Sequence, residues 1–280
     1  MSQRIVILSD PHMVPPGGTI AGVDPCARLA AGIAHINERH ADAARVIVLG
    51  DLAHGGDPAS YARITELLQA LIPPVSVIPG NHDDRGALLA ALPWAVTDEA
   101  GFLQQALELP EARLLLLDTL HPAPGEVGDG RHAGRLCPQR MAWLEAQLAA
   151  SRDAGRAVLI AMHHPPHATG FANMDAIMLD NGAAFHDLLA RYPVVRHLTC
   201  GHVHRNISGV HRGTPFAIFK STAHQQPGIF DDVDSSLSVD EPAAYGLLQL
   251  DPGGVIAHSE DFELAGTSAP WRRATAPDAL

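Results

Sequence analysis

Six short aliphatic runs constrain this chain most: Arg4–Ser9, Arg45–Gly50, Val75–Pro79, Arg113–Asp118, Ala157–Met162 and Val195–Cys200. A strand with one wet face alternates apolar and polar residues. These runs barely alternate, so they read as strands buried on both faces, which requires layers above and below the sheet. The segments between them supply those layers. Asp24–His40 places Leu29, Ile33 and Ile36 on one helical face, and Asp57–Leu71 does the same with Ile64, Leu67, Leu68 and Leu71. Pro138–Ala154 opens with proline near its first turn and carries Met141, Leu144 and Leu148, and Asn181–Tyr192 is a fourth helical segment. The expectation is an α/β fold with helices covering the sheet. Beyond residue 200 the pattern changes. Ile207–His211, Pro215–Lys220, Tyr245–Asp251 and Gly254–Ser259 follow one another without helices, which predicts antiparallel pairing.

The 280 residues suffice for one large domain, here read as 1–266, followed by an extended tail over 267–280. The acidic, serine-rich stretch 221–244 reads as an excursion: a cap, a mobile loop or a contact surface for a second copy. Residues 121–137, rich in glycine and proline, read as a long loop. No apolar stretch approaches the roughly 20 residues of a membrane span. The start of the sequence runs directly into a strand without a small-residue cleavage site, and Cys26, Cys137 and Cys200 are too scattered for a disulfide framework. A reducing cytoplasm is therefore the expected location. A net charge of −12 without a basic patch argues against a nucleic-acid polymer as partner.

Chemistry gathers where the strands end. The first run stops at Asp10-Pro11-His12, the second at Gly50-Asp51 and the third at Gly80-Asn81-His82-Asp83. The fifth stops at His163 and the sixth at Gly201-His202-Val203-His204. The carboxyl ends of strands are where sites assemble in open α/β sheets. A lone aspartate there is usually a turn or helix cap and a lone histidine a packed or solvated residue; five such ends in one chain are not explained that way. Imidazole, carboxylate and amide donors without thiolate suit Mn, Fe, Co or Zn. Seven groups exceed the needs of one ion, so a pair of divalent metals sharing a carboxylate is expected.

The set D-x-H, G-D, G-N-H-D, single His and G-H-x-H, complete and in order, resembles the calcineurin-like metallophosphoesterases. VIPGNHDDR, WLEAQL, MHHPP, the MD of FANMD and the HQ of STAHQQ resemble the bacterial glycerophosphodiesterases and class III cyclic-nucleotide phosphodiesterases of that family. The resemblance implies two packed mixed β-sheets flanked by helices. It also implies that Asp10, His12 and His204 hold one metal, that Asn81, His163 and His202 hold the other, and that Asp51 bridges them. His82 would orient the phosphate or protonate the leaving alkoxide, giving a catalytic set of Asp51, Asn81 and His82.

The implied reaction is hydrolysis of a small phosphodiester by metal-bound hydroxide, glycerophosphodiester-like or of broad specificity. Alternatives are a 3′,5′-cyclic-nucleotide phosphodiesterase, a phosphonate monoester hydrolase and, remotely, a non-catalytic partner-binding scaffold. Two divalent cations, two aspartates and one hydroxide leave about one positive charge, which matches a phosphodiester anion. His167, Phe171 and His224 are weaker candidates for substrate contact, joined by Asn173, Met174 and Asp175, with Phe171 and Phe230 the nearest aromatics for a base. His164 reads as support, Asp83 as a cap or a brace for a ligand histidine, Asp84 and Arg85 as a helix start, His35 and His40 as solvated helix residues, and His121 and His132 as loop residues.

Overall fold

The structure, a computed structural model, describes residues 3–126, 132–231 and 237–262. The tail over 267–280 and its boundary lie outside these residues, as do parts of the two long loops.

Two sheets stack face to face. The first has five strands in the order β11-β10-β1-β2-β3: β1 (Gln3–Leu8), β2 (Arg45–Leu49), β3 (Val75–Ile78), β10 (Ala244–Asp251) and β11 (Gly254–Asp261). The second has six in the order β4-β5-β6-β7-β9-β8: β4 (Gln105–Glu108), β5 (Arg113–Leu117), β6 (Val158–Met162), β7 (Val195–Cys200), β8 (Ile207–His211) and β9 (Thr214–Ile218). The two-sided burial of the aliphatic runs has a direct structural cause. In β1, Ile5 and Ile7 face the second sheet and join Leu114, Leu116, Leu159 and Ala217 between the layers. Val6 and Leu8 face outward against Leu29, Ile33 and Ile36 of α1 (Pro25–Arg39) and Ile64 of α2 (Pro58–Leu68). The second sheet repeats the scheme. Leu115, Ile160 and Met162 face Leu144 and Leu148 of α4 (Pro138–Asp153) and Phe185 and Leu188 of α6 (Gly182–Leu189). The architecture expected from the sequence, two mixed sheets flanked by helices, is the one observed.

Helix starts follow the sequence signals. Asp24 caps α1 through Cys26 N and Asp57 caps α2 through Ser60 N, each followed by proline in the first turn. Asp84 caps the short helix α3 (Arg85–Ala91) through Ala87 N at 2.7 Å. A single turn, α5 (Ala172–Asp175), follows β6.

Several expectations are corrected. The late hairpins are antiparallel as read, but β9 runs parallel to β7 and occupies the place beside it. Its Ala217 and Ile218 are buried, whereas β8 is mostly exposed, so the more apolar strand takes the inner position and β8 the edge. Residues 221–226 are not an excursion. Ser221 Oγ donates to Asp10 O at 2.7 Å, Thr222 N donates to Ser9 O at 2.9 Å, and Ser221, Thr222, Ala223 and Gln225 are almost wholly buried. His35 and His40 are not free in solvent: His35 Nδ1 lies 2.9 Å from Tyr245 Oη, and the His40 ring packs edge-on against the same tyrosine.

Candidate metal centre

Strands β1, β2 and β3 are parallel within one sheet, and β6 and β7 are parallel within the other. Their carboxyl ends carry Asp10, Asp51, Asn81, His163 and His202 to one junction. The backbone there is unusual. Asp10, His12, Asp51, His202 and His204 all have positive φ, at 50°, 44°, 51°, 72° and 53°. A left-handed residue with a Cβ costs about 1–2 kcal/mol, so the loops hold these side chains in directions a relaxed chain would not choose. The D-P-H and H-V-H segments share the device, left-handed at the first and third residue. Close approach of the loops requires glycine. A Cβ on Gly50 would lie 2.6 Å from Gly80 N, and one on Gly80 would overlap both the backbone nitrogen and the carboxylate of Asp51.

Hydrogen bonds outside the site fix which nitrogens face inward. His163 Nδ1 donates to Leu49 O at 2.6 Å and His204 Nδ1 donates to His224 O at 2.8 Å, so each turns Nε2 toward the centre. His163 Nε2 then meets Asn81 Oδ1 at 3.1 Å and Asp51 Oδ2 at 3.4 Å. His204 Nε2 meets Asp10 Oδ1 at 3.3 Å and His12 Nε2 at 3.0 Å, and His12 Nε2 lies 3.5 Å from Asp51 Oδ2. His202 Nε2 is buried with no partner. Nitrogen and oxygen ligand atoms crowd together here at 3.0–3.5 Å, an arrangement that repels unless protons or metal cations sit among them. The titrating groups respond accordingly. Burial alone would lower His163, but the Asp51 and Asp10 carboxylates outweigh it and raise it to about 9. Burial would raise Asp51, yet His163, His82 and His12 hold it well below the usual carboxylate range.

The donor set fits two divalent cations. Asp10, His12, Asp51 and His204 offer ligand atoms within 4.8 Å of one another. Asn81, His163 and His202 form the other half, and Asp51 Oδ2 reaches toward both halves. No thiolate takes part, as hard to borderline ions require.

Neighbouring residues hold the loops. Asp83 does not brace a ligand histidine. Its buried carboxylate accepts from Leu52 N at 3.2 Å, Ala53 N at 3.1 Å, Gly80 N at 2.9 Å and Tyr61 Oη at 2.9 Å, tying the Asp51 loop to the Asn81 loop. His164 lies beside His163 and His202, its ring centroid 4.7 Å from each of theirs, but both of its nitrogens are engaged elsewhere. Its Nε2 donates to His132 O at 3.0 Å and its Nδ1 accepts from Thr119 Oγ1 at 2.8 Å, which seats the segment entering at residue 132.

A cavity of about 630 Å³ opens over the cluster. His82 lies on its wall with Nδ1 donating to His54 O at 2.8 Å, leaving Nε2 free. His224 also lines it, as do Met174 and Ile177. Several sequence-level candidates are placed elsewhere, among them Asn173, which is buried and outside the cavity lining. Phe171 is 4% exposed and packs on Phe230 at 4.7 Å in the second sheet's outer core. Asp175 accepts from the amides of Thr169 and Gly170. His167 packs against His186, His211 and Phe216, outside the cavity lining. Conversely, His54 and His132 reach the cavity and were not singled out as site residues. His54 Nδ1 lies 3.1 Å from His12 Nδ1, and the His132 ring stacks on His82 at 5.5 Å. For His54 the signal was its place three residues after Asp51; for His132 the sequence offered none.

The calcineurin-like phosphoesterase family model matches residues 3–206. A relative from Rhodopseudomonas palustris, named a probable cyclic nucleotide phosphodiesterase, is 38% identical over 94% of each chain. The glycerophosphodiester phosphodiesterase GpdQ of Enterobacter lignolyticus is 30% identical over 94% of this chain and 92% of its own. Among solved structures, a dimetal phosphatase from Danio rerio superimposes with a TM-score of 0.68 at 16% identity, over 93% of this chain and 99% of that one, which speaks to the fold. With the motif order, the two-sheet architecture and the converging donors in agreement, the chain belongs to the calcineurin-like phosphoesterase family.

Proposed function

We propose that this protein hydrolyses small phosphodiesters with two divalent metal ions held by Asp10, His12 and His204 on one side and Asn81, His163 and His202 on the other, with Asp51 shared. The observation that carries the reading is the convergence of imidazole nitrogens with carboxylate and amide oxygens on both sides of Asp51 Oδ2. Bound divalent ions supply the Lewis acidity that activates water and neutralises charge developing on the phosphoryl oxygens. The chain's residues do the rest. Backbone strain and the Leu49 and His224 carbonyls fix ligand directions before substrate arrives. His82, anchored through Nδ1, presents Nε2 to the cavity, where the doubly protonated ring can donate to a phosphoryl oxygen or pass its Nε2 proton to the leaving alkoxide.

The charge balance favours a diester. The ligand set carries two carboxylates, so a pair of divalent ions leaves a modest positive excess, suited to a phosphodiester monoanion. Beyond the ligands the cavity lining includes the apolar side chains of Ile20, Met174, Ile177 and Leu237 and the His54 and His132 imidazoles. That wall and the 38% identical relative favour a cyclic nucleotide among the small diesters, although Phe171 and Phe230 lie outside the cavity lining.

The test compares turnover of bis(p-nitrophenyl) phosphate, p-nitrophenyl phosphate, glycerophosphoethanolamine and cAMP by the Mn²⁺-loaded protein. Diesters should be preferred, and Asn81→Ala and His163→Ala should each lower diester turnover by about 100-fold or more, the scale of a lost electrostatic contact in the transition state. Strong preference for the monoester, or intact diester turnover in both variants, overturns the reading.

A further inference from the structure

A second histidine cluster stands apart from the metal centre. His167 lies on the loop after β6, His186 on the inner face of α6, and His211 at the end of edge strand β8. Their ligand nitrogens all lie within 4.8 Å of one another, and none of the three lines the cavity over the dinuclear centre. His167 and His186 are 6% and 3% exposed. His167 Nδ1 approaches His186 Nε2 at 3.3 Å, while His167 Nε2 is buried with no partner. The His167 and His211 rings lie parallel with centroids 4.3 Å apart.

Neutral imidazoles so placed are poorly used as packing. Phe216 and Phe185 beside the rings offer no acceptor, so His167 Nδ1 and His186 Nε2 face each other with the stacked His211 ring alongside. For a tetrahedral zinc ion bound at about 2.0–2.1 Å, two imidazole nitrogens stand roughly 3.3–3.4 Å apart, which is the His167–His186 separation found here. Burial, reinforced by the neighbouring histidines, pulls both His167 and His186 down to about 4, so each is neutral at pH 7 and offers one ring-nitrogen lone pair.

We propose that His167, His186 and His211 form a third metal site, for zinc or a similar imidazole-preferring divalent ion, with a fourth position open to water. The site clips three elements together: the loop that runs on to Met174 and Ile177 of the cavity wall, helix α6, and the β8–β9 hairpin. The Arg212–Asp187 ion pair at 2.6 Å already joins the last two beside it. The ion there is structural, holding the loop that forms one side of the substrate cavity.

The test is a metal count on the full chain. Protein stripped with EDTA is dialysed against micromolar Zn²⁺, and bound zinc is measured by mass spectrometry for the wild type, His211→Ala and His186→Gln. The wild type should retain one more equivalent per chain than either variant. Co²⁺-loaded wild type should show tetrahedral visible absorption that His211→Ala loses in part. His211 is half-buried at a hairpin end, so its variant keeps the test informative if His186→Gln folds poorly. Equal zinc content in the wild type and His211→Ala, or a difference seen only at millimolar zinc, overturns the proposal. The difference involves none of the ligands around Asp51, so it stands or falls separately from the dinuclear reading.

Discussion

Removing the Arg85 guanidinium should destabilise the protein by about 3–5 kcal/mol, the range for breaking a buried ion pair from one side. The contacts account for that size. Arg85 forks onto Asp118 with Nε and one terminal nitrogen at 2.9 and 3.0 Å, and also donates to Pro122 O and Leu120 O. Asp118 is fully buried. Each charge-assisted bond contributes about 1.5–3 kcal/mol. In Arg85→Ala the carboxylate keeps the amides of Leu103 and Leu120 and a longer approach from Arg140 at 3.5 Å, so its charge is only partly compensated. Melting followed by circular dichroism in EDTA, which removes stabilisation by bound metal, should show a fall of about 6–20 °C, at roughly 2–4 °C per kcal/mol for a domain of this size. A double-mutant cycle with Asp118→Asn separates the pair from general damage. The two changes together should cost at least ~2 kcal/mol less than their sum. Additive effects, or a fall below about 2 °C in Arg85→Ala, would refute the reasoning. Arg85 opens α3 directly after the Asn81–His82 loop, so the pair anchors one wall of the metal centre to β5.

Two further perturbations follow from the same kind of accounting. Gly80→Ala should lower stability by about 1–3 kcal/mol through overpacking and lower metal retention with it, because the overlap with Asp51 includes backbone that no rotamer change relieves; Gly86→Ala, near only the Asp84 carboxylate, is the control, and equal metal content in both variants would count against the close-approach argument. His197 is 5% exposed in β7 and burial pulls it down to about 4, so below pH 6.5 the unfolded chain takes a proton that the folded chain refuses. Its contribution to stability is complete above about pH 6.5 and is lost as pH falls toward 4, roughly 3 kcal/mol in all. Urea titrations from pH 7 to 4.5 should therefore show a shallower decline in His197→Leu than in the wild type; parallel curves would contradict the assignment.

The strands were legible because burial on two sides leaves a continuous aliphatic run, and helices α1, α2, α4 and α6 because each faces one core with a regular stripe. Elements without such a stripe were not. The strand β4 is four residues at a sheet edge, and α5 is a single turn set by its surroundings. The order β7-β9-β8 depends on which late strand is the more apolar once folded, a comparison between segments that local patterning does not make. The converging donors were legible because strand ends mark them. His132 and His167 were not placed correctly because both ride on loops whose paths are set by distant contacts. The first is seated by His164, and the second is drawn toward α6 and the edge strand.

The left-handed backbone at Asp10, His12, Asp51, His202 and His204 sets stability and metal retention against each other at the same five positions. Glycine would relax each of them by removing the Cβ clash, and would delete a donor in doing so. In a metal-free chain each such glycine would set the relief of strain against the buried bonds that the Asp10 and Asp51 carboxylates accept from His202 N and His82 N. A chain that keeps aspartate and histidine at all five bears a standing folding penalty whose counterpart is the preshaped cage, so its thermal tolerance and its capacity to hold metal cannot both be maximised there.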